Sequence, residues 1–201
     1  MKNNFFKFLF LSFFLFSSIA LTEESTMSTA TLENKSVITF KGNAMTLVGQ
    51  QVKAGQKAPD FNLTANDLSS VTLKNSAGKV RIVSVVPSVD TPVCDLQTKR
   101  FNEEAGKLGD KAAVITVSMD LPFAQKRWCG AAGATTVQLL SDYKDHSFGI
   151  AYGARIKELG LLTRAVFVID AQDTIQFVEY VSEVTAHPNY DAAIAAAKKL
   201  I

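Results

Sequence analysis

The stretch Val80-Arg81-Ile82-Val83-Ser84-Val85-Val86-Pro87-Ser88-Val89-Asp90-Thr91-Pro92-Val93-Cys94 joins two different hydrophobic periodicities. Its first seven residues are a continuous run rich in β-branched side chains, the pattern of a central strand covered on both faces. Beyond it, residues 93–107 carry helical spacing, with Leu96, Phe101, Ala105 and Leu108 as the expected apolar face. Residues 87–91 therefore form a strand-to-helix loop at one end of a sheet.

The same alternation continues outward. Residues 112–117 read as a second buried strand, 122–132 as a short helix, 137–140 as a third strand and 165–169 as a fourth. Asp170-Ala171-Gln172-Asp173 is a turn, so residues 174–181 should pair antiparallel with the fourth strand. Residues 190–200 are rich in alanine, with Lys198 and Lys199 in the last turn, and read as a closing helix. Toward the N-terminus, Val37-Ile38-Thr39-Phe40 and Met45-Thr46-Leu47-Val48 flank a Lys41-Gly42-Asn43 turn, a hairpin signature. Two short edge-like strands are expected at 60–63 and 70–73. The fold class is α/β: a central mixed sheet flanked by helices, compatible with a thioredoxin-like core extended by an N-terminal β-hairpin. One domain over residues 36–201 accommodates this, after a loose polar segment at 21–35.

Formal net charge is +2, and no Lys/Arg run is concentrated enough for a nucleic-acid groove. Partners should be small molecules or other proteins. Lys2 and Lys7 introduce a Phe/Leu-rich run that ends at Ser18-Ile19-Ala20. Its apolar stretch is shorter than the roughly 20 residues that span a bilayer. Residues 1–20 read as an export signal cut after Ala20, giving a periplasmic or exported protein without stable membrane association. Met27 offers a second start, which would leave the protein cytoplasmic.

Thr91 is a suitable N-cap residue and Pro92 suits the first helical position, where its missing N–H costs nothing. Cys94 then falls at about the third helical residue, near free backbone N–H groups and the positive end of the helix dipole. Both favour the thiolate; Asp95 opposes it weakly. On position alone two readings stand, a reactive thiol or a buried small apolar side chain. A second cysteine lies in Lys126-Arg127-Trp128-Cys129-Gly130, where the two cations should favour its thiolate as well.

Pro87-x-x-x-Thr91-x-x-Cys94 resembles the active-site signature of the peroxiredoxins, and the full run from Pro87 to Cys94 is similar to that of their thiol peroxidase branch, the atypical two-cysteine type. Asp120-Leu121-Pro122-Phe123-Ala124-Gln125, Arg127-Trp128-Cys129-Gly130 and Arg164-Ala165-Val166-Phe167-Val168-Ile169-Asp170 extend the resemblance over residues 36–200. It implies a thioredoxin fold, a homodimer, and reduction of peroxides with electrons from thioredoxin or a similar thiol reductant. It further implies that Cys94 is the peroxidatic cysteine and Cys129 the resolving cysteine. Thr91 and Arg164 would orient thiolate and peroxide, Pro87 would shield the pocket, and catalysis would need neither cofactor nor metal.

The residue types suit that chemistry. Attack on an O–O bond needs a thiolate, and nucleophilicity falls with basicity, so charge spreading over the peroxide oxygens must also be stabilised. Arg164 offers a rigid fork of donors that keeps its proton. A sulfenic acid at Cys94 would condense with a second thiol, either Cys129 of the same chain or a cysteine of another. If the reduced sulfurs start far apart, closing such a bond needs the Cα atoms brought within about 7 Å, and the Cys129 helix is then expected to unwind during turnover. The small residues Gly130-Ala131-Ala132-Gly133-Ala134 make that inexpensive. A competing reading is an exported non-enzymatic domain with a structural disulfide. A disulfide exchanger is disfavoured by the lack of a Cys-x-x-Cys pair, and a zinc site by the isolation of His146 and His187.

Overall fold

The computed structural model describes residues 32–201. Among these described residues ten strands form two sheets, accompanied by four α-helices. Strands β1 (Glu33–Phe40) and β2 (Asn43–Val48) make an antiparallel hairpin, and β8 (Arg155–Ile156) pairs with β2 to complete a three-stranded sheet. The second sheet has seven strands: β3 (Leu63–Thr64), β4 (Ser70–Val71), β5 (Val80–Val85), β6 (Ala112–Ser118), β7 (Gln138–Ser141), β9 (Ala165–Ile169) and β10 (Ile175–Tyr180). Their order is β10-β9-β5-β6-β7-β3-β4. Strands β5, β6 and β7 are parallel, and β9 lies antiparallel between β5 and β10. The mixed sheet and the antiparallel final pair match the sequence reading.

Successive side chains of a strand point to opposite faces, and the central strands divide two apolar cores accordingly. Val83, Val85, Ile115, Val117, Phe167 and Ile169 pack with Phe148 and Tyr152 on one face. Val80, Ile82, Val114, Leu139, Val166 and Val168 pack on the other with residues of α1 (Pro92–Leu108), α2 (Pro122–Ala132) and α4 (Tyr190–Lys198). Arg81 interrupts the first pattern. It is wholly buried yet reaches the Lys79 and Asp170 carbonyls and the Asp173 carboxylate, so its charge has partners.

Several details differ from the sequence reading. The edge strands expected at 60–63 and 70–73 are only two residues each, Leu63–Thr64 and Ser70–Val71, and Leu73 opens a 3-10 turn instead. Strand β1 begins at Glu33, because an irregularity between Lys35 and Ile38 breaks the alternation and hides the first three, largely exposed residues. The hairpin turn has two residues, Lys41 and Gly42, both at positive φ, and Asn43 already pairs with Phe40. The inner face of α1 is rotated by about one residue: Leu96 is 55% exposed, while Cys94, Gln97, Thr98, Phe101 and Glu104 are buried. Polar side chains on the core face misled the apolar periodicity. The short α3 (Ser147–Ala151) and β8 were not foreseen at all. Among the described residues no helix is long and apolar enough to cross a membrane, and the leader at 1–20 lies outside them.

Candidate active site

Strand β5 ends at Val85, and the loop that follows crosses the carboxyl end of the parallel strands before entering α1. Asp120, just beyond β6, holds that loop: its carboxylate accepts from the Ser88 hydroxyl at 2.7 Å, the Val89 amide at 2.8 Å and the Ser118 hydroxyl at 2.7 Å. Thr91 is the extended N-cap residue, and Pro92 opens the helix as expected. The Thr91 hydroxyl caps no helix N–H, however. It donates to the Ser88 carbonyl at 3.1 Å, so it braces the loop instead.

Cys94 occupies the third helical position and is wholly buried. Arg164, just ahead of β9 and 2% exposed, donates from Nη2 to Cys94 Sγ at 3.3 Å. Its other two nitrogens are fixed as well. Nη1 donates to Gln97 Oε1 at 2.6 Å, and Nε donates to the Val184 carbonyl at 2.8 Å. Gln97 is itself held by a 2.8 Å bond from Nε2 to Ser84 Oγ. A buried chain therefore runs Ser84, Gln97, Arg164, Cys94, with each polar group supplied a partner. Such an arrangement presents a fixed positive charge to a sulfur at the start of a helix, and it costs no reorganisation when negative charge appears.

A cavity of about 320 Å³ opens beside this chain, and Pro87, Thr91 and Arg164 line it with Phe40, Leu161 and Val184 among others. Cys94 is not itself among its walls. Three of the four residues expected around the thiolate pocket thus meet at one cavity, and the fourth touches it through Arg164. Asp95, the carboxylate nearest Cys94 in sequence, accepts from Lys99 Nζ at 2.9 Å and Trp128 Nε1 at 3.0 Å. Those partners offset its opposition to a neighbouring thiolate.

Cys129 lies in the last turn of α2, whose end is closed by Gly133 in the left-handed conformation with its amide on the Cys129 carbonyl. It is a half-buried free thiol bordering a polar groove of about 640 Å³. Burial pushes this thiol up, and the Asn66 amide at 3.8 Å counteracts only part of that. The expected help from Lys126 and Arg127 is not realised, because Arg127 Nη2 is turned to Asp90 at 3.0 Å and both side chains are exposed. Together the Arg127–Asp90 and Trp128–Asp95 contacts tie the Cys129 helix to the segment bearing Cys94.

Gln97, Ser84 and Asp120 escaped the sequence reading. Gln97 carried a signal: it stands three residues after Cys94, hence on the same helix face. Asp120 opens a motif singled out for resemblance but without a role.

Comparison with known proteins agrees with this geometry. The family model described as Redoxin matches residues 53–194. A thiol peroxidase of Halalkalibacterium halodurans is 64% identical over 161 residues, 80% of this chain and 96% of the relative. A thiol peroxidase of Bacillus subtilis is 58% identical over 164 residues, 82% of this chain and 98% of the relative. Among solved structures, a peroxiredoxin-like protein from Aquifex aeolicus superposes with a TM-score of 0.78 at 38% identity, covering 84% of this chain and 99% of that one. With identities above half along nearly the whole length of these relatives, the chain belongs to the thiol peroxidase branch of the peroxiredoxins, within the redoxin family.

Proposed function

We propose that this thiol-dependent peroxidase reduces hydrogen peroxide and organic hydroperoxides at Cys94 and regenerates itself through a Cys94–Cys129 disulfide. The observation that carries the reading is the 3.3 Å contact from Arg164 Nη2 to a buried sulfur at a helix start. The Cys94 thiolate attacks the nearer peroxide oxygen, the O–O bond breaks, and sulfur is oxidised by two electrons to a sulfenic acid. The departing alkoxide or hydroxide takes a proton from water and leaves as alcohol or water. Arg164 favours this step because its guanidinium remains charged while negative charge spreads onto the leaving oxygen. Thr91 and Pro87 shape the approach, and Pro87 keeps water from the sulfur.

The Cys129 thiol then displaces hydroxide from the Cys94 sulfenic acid, releasing water and forming the disulfide. A dithiol reductant of the thioredoxin type returns both sulfurs to thiols and becomes oxidised. We further propose a homodimer, for which Leu96, Leu121 and Phe123, each more than half exposed on the two cysteine-bearing segments, supply apolar surface. Export with cleavage after Ala20 completes the reading. A mature product beginning at Met27 or Ser28 would overturn that last part alone.

Stopped-flow titration of reduced protein with peroxide, with and without thioredoxin, tests the reading. Two thiols should be lost per peroxide consumed, and mass mapping should find Cys94 joined to Cys129 within one chain. Peroxide consumption that survives Cys94→Ser would refute it. A purely structural disulfide, disfavoured by the thiol peroxidase relatives, predicts no consumption by either redox form.

A further inference from the structure

Glu183 lies between β10 and α4, far along the chain from the β1–β2 turn that it holds. Its Oε1 accepts from the Lys41 amide at 3.0 Å, the Thr185 amide at 3.0 Å and the Thr185 hydroxyl at 2.6 Å. Its Oε2 accepts from the Thr39 hydroxyl at 2.8 Å and the Gly42 amide at 3.1 Å. The backbones of the same segments are joined too: the Thr39 amide donates to the Ser182 carbonyl at 2.7 Å, and the Val184 amide to the Thr39 carbonyl at 2.8 Å. Hydrogen bonds from Thr185, foremost, and from Gly42 and Thr39 hold the Glu183 carboxyl far below the usual carboxylate range.

A two-residue turn with both central residues at positive φ is already the favoured hairpin connection and needs no carboxylate to form. The clamp acts instead on what surrounds it. Phe40, Lys41, Val184 and Thr185 all line the 320 Å³ cavity beside Arg164, and Glu183 joins the two segments that carry them. That volume is roughly ten times the share of one water molecule in the liquid. Hydrogen peroxide, with two oxygens lying toward Arg164 and Cys94, would leave most of it unused. An organic hydroperoxide must place its carbon substituent there, against this wall.

We propose that Glu183 is a positioning residue that fixes the Phe40–Lys41 and Val184–Thr185 wall of the substrate cavity, and so sets how fast hydroperoxides with a bulky organic group react relative to hydrogen peroxide. Glu183 touches none of the reacting atoms. Arg164 keeps its bonds to Gln97 and Cys94 without it, and Val184, whose carbonyl receives Arg164 Nε, stays joined to Thr39 through its own amide. The inference rests on the peroxidase reading of the same cavity.

The test compares second-order rate constants for oxidation of the reduced enzyme by cumene hydroperoxide and by hydrogen peroxide, read from the fluorescence of Trp128, the sole tryptophan. Glu183→Ala should lower the cumene hydroperoxide constant at least five-fold and change the hydrogen peroxide constant less than two-fold. Glu183→Gln, which keeps a carbonyl acceptor, should recover part of the loss. Thr39→Val removes one donor from outside the cavity, should shift the ratio in the same direction by about two-fold, and decides the matter if Glu183→Ala does not fold. An unchanged ratio, or an equal loss on both peroxides, overturns the inference while leaving the peroxidase intact. Failure of the wild type to react with either peroxide would sink the peroxidase reading itself.

Discussion

Arg164 cannot turn away from the Cys94 sulfur. All three of its side-chain nitrogens are engaged, by Cys94, Gln97 and the Val184 carbonyl, and the side chain has almost no solvent to move into. Arg164→Lys keeps the charge but substitutes a single flexible ammonium for a fixed fork. It should lower the rate constant for Cys94 oxidation by about 10²–10³-fold, the usual loss when one preorganised donor is removed from an anionic transition state. Stopped-flow fluorescence measures this directly, and a loss under three-fold would show that charge alone suffices. Gln97→Ala tests the support behind it. The substitution leaves Arg164 Nη1 and Ser84 Oγ buried without their partner, and an orphaned buried group costs about 1–3 kcal/mol. Denaturant unfolding should register that loss, together with slower oxidation of Cys94. Cys94, Thr91, Pro87 and Arg164 were singled out in the sequence by the resemblance of their motifs to the peroxiredoxin signature, whereas helix position alone left Cys94 between a reactive thiol and a buried apolar side chain. Gln97 was not singled out, since a polar residue on a buried helix face looks like a solvent-facing one until its partners are known.

At the scale of elements, the two cysteine-bearing helices differ in what they do to a thiol. Helix α1 offers its N-terminus to Cys94, whereas α2 holds Cys129 in its last turn, where the helix dipole gives a thiolate no help and burial pushes the thiol up. In the folded, reduced state Cys129 is therefore protonated at neutral pH, and its thiolate fraction grows about tenfold per pH unit below its midpoint. Alkylation of Cys129 in the Cys94→Ser variant should accelerate with pH and reach its midpoint above the ordinary thiol value. If the proposed attack of Cys129 on Cys94 waits for the helix turn that buries Cys129 to open, formation of that bond in the wild type should titrate lower, near the ordinary value. Equal midpoints in the two experiments would mean that attack proceeds from the intact helix. Gly130 inside the helix and Gly133 at its end make the last turn the cheapest part of α2 to open. The boundaries of α2 were readable from Pro122 and the small residues, but its ties were not. The Trp128–Asp95 and Arg127–Asp90 contacts join residues more than thirty positions apart, and local pattern carries no trace of them.

For the molecule as a whole, the consequence is a contest between a cross-link and a packed core. The succession of strands and helices and the two-sided core could be inferred from continuous apolar runs, while the order of the strands within the sheet could not, and β8 and α3 are too short to leave a periodic signal. That core places Trp128, 7% exposed, and Cys129 against the cluster formed by α1, α4 and the sheet. A disulfide closing about 35 residues would stabilise an otherwise unchanged fold by about 4 kcal/mol through the entropy of the unfolded chain. Opening the end of α2 withdraws Trp128 from its packing, and loss of a large aromatic from a core costs about 3–5 kcal/mol. It also breaks the Trp128–Asp95 bond, worth about 1.5–3 kcal/mol where one partner is charged. The losses exceed the gain by about 0.5–4 kcal/mol, so the balance lies against the oxidised form. The disulfide protein should therefore melt no higher than the dithiol protein, when both are prepared from one sample and scanned by calorimetry at equal concentration. An oxidised form that melts well above the reduced one would show that the sulfurs join with Trp128 still seated, and that α2 moves as a body rather than unwinding.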